Sequence, residues 1–242
     1  MAQNPHASKA THSIAAQIRQ SIEAGGERFW AYSDFDHLSM TAVAKALSRL
    51  AEEGFIERAG KGTYFRSRQT AFGQSHPAAS DVAEHTAKHK LYPSGISAAN
   101  ILGFTTQNAG RAQYATTGSS RPTKLSASKV YTRRPAAREN LTIEEGALLE
   151  FLRTRGSLSE LPPTETARKI VKLLAGRKAF QRIAETAIAE PPRVRALLGA
   201  IGEEAHQPKA TLEPLRQSLN PLTRFDFGPL RVLKHAKEWH AK

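Results

Sequence analysis

Thr41, Ala42, Lys45, Ser48 and Arg49 fall on one face of a helix if residues 39–54 wind at 3.6 residues per turn. Their side chains are short, or long and basic, and no acid intervenes before Glu52. Short side chains let a helix backbone come close to a surface, and Lys, Arg, Ser and Thr donate hydrogen bonds to base edges and phosphates. Arg58, Lys61, Arg66 and Arg68 follow at once, where cations suit phosphate oxygens. The chemistry on offer is recognition of a polyanion, double-stranded DNA first. A plainer reading stands beside it, in which the same cations form a solvated helix face.

Catalytic and metal chemistry have less to work with. His85 and His89 stand at i and i+4 of the helix expected there, so both rings would face one metal, but no third ligand or Glu base accompanies them. Only three acids lie between residues 76 and 140, whereas hydrolytic centres need clustered carboxylates. Ser94-Gly95 and Gly118-Ser119-Ser120 read as turns rather than nucleophiles. There is no G-x-S-x-G, Walker loop or dinucleotide fingerprint. The expectation is a protein that is not an enzyme, with no metal and no cofactor.

The totals agree. Thirty-five Lys and Arg against 22 Asp and Glu give +13 over 242 residues, which favours nucleic acid, then an acidic protein or membrane surface. The excess is uneven. Residues 1–75 carry 9 basic against 7 acidic side chains, whereas residues 58–138 carry 13 against 2, or +11. The absence of cysteine rules out disulfides and thiolate chemistry. The opening MAQNPHASKATHS has no apolar core, so no secretory signal is expected, and no apolar run approaches the ~20 residues that span a bilayer. A soluble, cytoplasmic protein without membrane contact is the expectation.

The elements that must position these residues are legible in outline. Residues 1–12 are small and polar, a flexible N-terminus. Ser13 caps a helix striped by Ile14, Ile18 and Ile22 and stopped by Gly25-Gly26. Glu27 to Tyr32 reads as an aromatic strand, followed by a short turn with Phe35 and Leu38 pointing inward. Ser39 caps the next helix, whose apolar face is Met40, Val43, Ala46, Leu47 and Leu50, and Gly54 ends it. Phe55-Ile56 and Thr63 to Phe65 then flank a Gly60-Lys61-Gly62 turn as a hairpin. Helix, strand, short helix, recognition helix and hairpin make a winged helix-turn-helix over residues 13–68.

Residues 69–80 read as a connector and 81–242 as a second domain. Its first part, 81–140, offers a helix over Asp81 to Leu91, a short helix over Ser97 to Leu102, and strands over Arg111 to Thr117 and Lys124 to Arg133. Arg111, Arg121, Lys124, Lys129, Arg133 and Arg134 form an additional basic face there. Tyr114 and Tyr131 read as strand packing. Residues 141–242 are helical, with Thr142, Pro162-Pro163 and Pro191-Pro192 at helix starts. A short strand and a last helix bearing Trp239 close the core. The fold class expected is α+β and helix-rich: an N-terminal winged helix-turn-helix followed by a mixed β/helical C-terminal domain.

Three phrases resemble AbiEi-type antitoxins, winged-helix regulators of bacterial abortive-infection toxin–antitoxin systems. They are FWAYSDF (29–35), AVAKALSRLAEEGFIERAGKGTYFR (42–66) and YPSGISAANILGFTTQNAGRAQYATTGSSR (92–121). They cover about half the chain, and the helical remainder matches loosely. The resemblance implies a repressor that binds inverted repeats in its own promoter, as monomer or dimer, and an antitoxin countering a nucleotidyltransferase-like toxin. Thr41, Ala42, Lys45, Ser48 and Arg49 take the recognition-helix role by position, and Arg58, Lys61 and Arg66 the wing role. No catalytic residue comes with the family. Two other readings stay open: a winged module that docks an acidic protein partner, and a stand-alone regulator on a mobile element without a toxin.

Overall fold

In the computed structural model, the structure describes residues 13–242 apart from 72, 123, 124, 126 and 127. The chain is α+β and helix-rich. It divides into two compact units, residues 1–87 and 88–242.

The first unit begins with α1 (Ile14–Gly25), whose N-cap Ser13 accepts a hydrogen bond from the Ala16 amide. Strand β1 (Arg28–Ala31) and a 3-10 turn (Tyr32–Phe35) lead to α2 (Met40–Glu52). The turn is pinned by Asp34, which accepts from the Ala31 amide and pairs with Arg28 at 3.1 Å. Strands β2 (Glu57–Gly60) and β3 (Thr63–Arg66) close an antiparallel sheet of order β1-β3-β2. Ile18, Ile22, Trp30, Phe35, Val43, Leu47, Leu50, Ile56 and Tyr64 form one core beneath it. The helical period in residues 40–52 is what commits Val43, Ala46, Leu47 and Leu50 to that core.

Three expectations are corrected here. Met40 is 71% exposed rather than part of the apolar face, because it opens the helix. The first hairpin strand is Glu57–Gly60, not Phe55-Ile56: those two residues are still part of the helix stop, their amides bonding to Leu50 O. Within residues 69–80, β4 (Gln69–Thr70) and β5 (Gly73–Gln74) pair and α3 (Ala79–Thr86) begins. The helix expected to reach Leu91 ends at Thr86, with Ala87 extended at ψ 138°.

The second unit opens with β6 (Leu91–Pro93) and α4 (Gly95–Ile101). Strand β7 (Gln113–Thr116) pairs antiparallel with β6 and parallel with β8 (Lys129–Tyr131). The strand expected over Lys124 to Arg133 is thus shorter, and Lys124 lies outside the described residues. A 3-10 turn (Ala136–Asn140) precedes α5 (Ile143–Arg153), which starts on a reciprocal cap. The Thr142 hydroxyl accepts from the Glu145 amide at 3.2 Å, and Glu145 accepts from the Thr142 amide at 2.9 Å. Helices α6 (Pro163–Leu173), α7 (Arg177–Ala187), α8 (Pro192–Glu204) and α9 (Lys209–Gln217) follow, α6 and α8 opening with proline.

Helix α8 is buried from Ala196 to Gly202, so it forms the axis of this core. The expected C-terminal strand and helix are instead two 3-10 turns (Gly228–Val232 and Lys237–Trp239) with a single bridge from Phe225 to Ala241. Trp239 is fully buried, and its ring covers Gly199 of α8 so closely that a Cβ there would sit 2.1 Å from it. Gly146 of α5 is met in the same way by the Tyr92 ring at 2.0 Å. Gly146→Ala must therefore displace a buried aromatic ring. It is expected to destabilise the protein by about 1–3 kcal/mol, read as a lowered urea midpoint with circular dichroism at low denaturant unchanged.

Candidate nucleic-acid interface

On α2, Thr41, Lys45 and Arg49 lie at i, i+4 and i+8 and are exposed, while Ala42 and Ser48 are half-buried. Lys45, Ser48 and Arg49 border a shallow surface depression with Ala44 and Glu52. The helix is held from behind by its buried residues and at its end by Arg19 of α1, which reaches Glu53 at 3.3 Å. Among the described residues neither Lys45 nor Arg49 has an acidic partner within ion-pair distance.

The hairpin presents Lys61 at its tip. Gly62 takes the positive φ (+74°) that the two-residue turn requires, and a Cβ there would press the Tyr32 ring at 2.9 Å. Arg58 is exposed, its Nε 3.4 Å from Gly60 O beside the bulge at Ala59. Arg66 and Arg68 are placed differently. Arg66 turns back, donates to Phe55 O and stacks 4.0 Å above the Phe55 ring. Arg68 pairs with Glu27 at 3.3 Å. The structure thus gathers Thr41, Lys45, Arg49, Arg58 and Lys61 as outward groups and gives Arg66 and Arg68 partners of their own.

The histidine pair does not form. His85 stacks on Phe29 with ring centroids 4.0 Å apart, and His89 lies beyond the helix, 3.2 Å from Glu139. Among the described residues no group of three His, Asp or Glu is arranged to hold a metal.

In the second unit Arg111, Arg121, Lys129 and Arg133 are exposed. Tyr114 is buried in the sheet and Tyr131 half-buried beside it. Arg134 does not join the exposed cations. Strand β8 ends at Tyr131, and Arg133 adopts a left-handed φ of +59°. This reversal sends Arg134 inward, where its guanidinium forks onto Glu150 at 2.7 and 2.9 Å.

Glu150 belongs to a buried network that sequence reasoning missed. It also accepts from Arg138 Nη1 at 2.6 Å and from the Ser94 hydroxyl at 2.7 Å. Arg138 is fully buried and donates through Nε to Glu190 at 2.6 Å, and Glu190 in turn binds Arg153 at 2.7 Å. The available signal was Glu150 itself, an acid inside the otherwise apolar run Gly146–Leu152. A charge in a helix buried on all sides needs a partner.

Burial alone would raise the Glu150 carboxyl, but the Arg134 hydrogen bonds and the charges of Arg138 and Arg134 hold it down at about 2, against 4.5 for a free glutamate. A depressed carboxylate contributes stability that is fully present above its unfolded value and lost as pH falls toward the folded one. Between pH 4.5 and 2 this group alone should remove ~3 kcal/mol of stability. Glu150→Gln should lower stability at pH 7 and flatten that acid limb, as followed by urea unfolding at a series of pH values. An unchanged acid limb in the variant would show that other carboxylates govern it.

No curated protein matches the sequence. The crystal structure of RV2827C protein from Mycobacterium tuberculosis is similar at 16% identity, over 88% of this chain and 85% of that one, with a TM-score of 0.42. A family model matches residues 17–154, which include α2, the hairpin and all of α5, and the chain belongs to that family of unknown function, DUF6088.

Proposed function

We propose that residues 13–68 form a winged helix-turn-helix that binds duplex DNA, with α2 as the recognition helix and the β2–β3 hairpin as the wing. The observation that carries this reading is the sorting of cations. Lys45 and Arg49 project from α2 without acidic partners among the described residues, and Arg58 and Lys61 stand exposed on the hairpin. Nearby Arg19, Arg28 and Arg68 are each paired to an acid. A cation left without an internal partner, on a helix otherwise held rigidly by its core, is available to an external anion. Small neighbours at Thr41, Ala42 and Ser48 leave room for a groove wall. The sheet order β1-β3-β2, with a turn and a helix inserted after β1, is the wiring such a domain uses.

With the resemblance to AbiEi-type antitoxins, the role we infer is a cytoplasmic repressor of its own promoter, coupled to an antitoxin activity of the C-terminal unit against a nucleotidyltransferase-like toxin. No helix is long and apolar enough to cross a membrane among the described residues.

The test is a gel shift and footprint on DNA upstream of the gene at two salt concentrations. Protection of an inverted repeat that survives competitor DNA is the expected result. Lys45→Ala/Arg49→Ala should cost about 1–3 kcal/mol per lost base contact and relax sequence preference. Arg58→Ala and Lys61→Ala should weaken all sequences alike, each reducing the salt slope by roughly 0.9. Undiminished operator discrimination by the α2 double variant would overturn the recognition-helix assignment. A stoichiometric protein partner without any footprint would replace DNA with protein as the ligand.

A further inference from the structure

The buried network of the second unit opens on one side into a cavity of about 240 Å³, lined among others by Ser94, Tyr131, Arg134, Arg153, Thr154 and Arg193. Its charges do not balance. Arg134, Arg138, Arg153 and Arg193 face two acids, Glu150 and Glu190, among the described residues. Both carboxylates are already heavily engaged. Glu150 accepts from Arg134 twice, from Arg138 and from Ser94, and Glu190 from Arg138 and twice from Arg153. Four guanidiniums carry far more N–H donors than these acceptors can use.

The surplus is visible atom by atom. Among the described residues Arg138 Nη2 and Arg193 Nε are buried without a hydrogen-bond partner, and Arg193 makes one hydrogen bond, to the Arg153 carbonyl at 3.3 Å. The Arg153 side chain is 24% exposed and that of Arg134 15%, so both remain open to the cavity. Burial, with Arg134 and Arg138 nearby, lowers the Arg153 pKa from its ordinary value despite Glu190. Buried positive charge left uncompensated is costly, and unpaired buried donors add to the cost.

We propose that this cavity is a binding site for a small phosphate dianion, either inorganic phosphate or a phosphomonoester, held by Arg153, Arg193 and Arg134. The local excess is two positive charges, which a dianion neutralises, whereas a backbone phosphodiester brings only one negative charge. Planar guanidinium forks match the oxygens of a phosphate bidentately. Tyr131 supplies an aromatic wall, with the Arg134 guanidinium 5.2 Å from its ring centre, so a small organic substituent has a surface to lie on. The site is independent of the proposed DNA-binding face, since none of its residues belongs to residues 13–68.

Calorimetric titration of the full-length protein with inorganic phosphate, at constant ionic strength set by chloride, tests the site. Saturable binding and a raised melting temperature are expected with phosphate and not with chloride. Dimethyl phosphate, a monoanionic diester, should bind about tenfold more weakly or worse. Arg193→Ala removes an arginine with no acidic partner among the described residues, so the unliganded protein should fold normally while phosphate affinity falls by about tenfold or more. Thr154→Glu places a carboxylate at the cavity wall and should abolish phosphate binding without lowering the melting temperature, which serves if Arg193→Ala does not fold. The proposal is overturned if phosphate binds no better than chloride, if both variants retain wild-type affinity, or if dimethyl phosphate or a short oligonucleotide competes as well as phosphate does.

Discussion

Arg138 has no exposed surface, and a guanidinium cannot shed its proton to escape burial. That constraint organises the second unit. The charge has to be met from several directions, and it is: Glu150 comes from α5 and Glu190 from the turn between α7 and α8. The same carboxylates bring in Ser94 at the end of β6, Arg134 after β8 and Arg153 at the end of α5. The small sheet and the helices are therefore tied at one point by directional contacts, whereas the apolar core around α8 is indifferent to orientation. A buried ion pair adds little net stability against an apolar isostere, but removing one partner leaves a charge stranded at a cost of about 3–5 kcal/mol. The network thus penalises any arrangement of these elements other than the one observed.

Tyr92 extends that tie. Its hydroxyl donates to the Arg138 carbonyl, burial pushes its pKa to about 12, and its ring lies on Gly146. The residues after it, Pro93-Ser94-Gly95, deliver the Ser94 hydroxyl to Glu150. Part of the stretch 92–121 therefore has a mechanical reading: it seats the first strand of the sheet on α5. Gly95 takes a positive φ of +56°, a backbone conformation that favours glycine, and a Cβ there would also have to push aside the amide end of the Gln113 side chain.

What the sequence reveals divides by range. Helix α2 is legible because Val43, Ala46, Leu47 and Leu50 repeat at the helical period and Gly54 supplies the left-handed stop at φ +71°. Thr142 and Glu145 announce the start of α5 at a spacing of three. Such signals are local. The partners of Arg138 lie 12 and 52 residues away, and no periodicity encodes a contact of that length. Local pattern also failed where a single dihedral decided the outcome. Sequence position groups Arg134 with the neighbouring cations of a basic face, but β8 ends at Tyr131, Arg133 takes a left-handed φ, and Arg134 reaches Glu150 instead. At the candidate interface the outward groups on α2 follow from the helical period. Arg66 and Arg68 could not be told from Arg58 and Lys61 without knowing where Phe55 and Glu27 come to rest.

Charge counted along a window misjudges surface potential for the same reason. Residues 58–138 hold an excess of +11, and on that count the segment looks like the main polyanion-binding surface. Two of its arginines, 134 and 138, point inward and are met by Glu150 and Glu190, which lie beyond the window's end. Arg66 and Arg68 are likewise engaged, by the Phe55 carbonyl and by Glu27. The cations that remain outward in the first unit are Lys45 and Arg49 on α2, which lie outside that window, with Arg58 and Lys61 on the hairpin, which lie within it. A nucleic-acid interface is better judged by which cations the fold declines to pair than by how many the sequence contains.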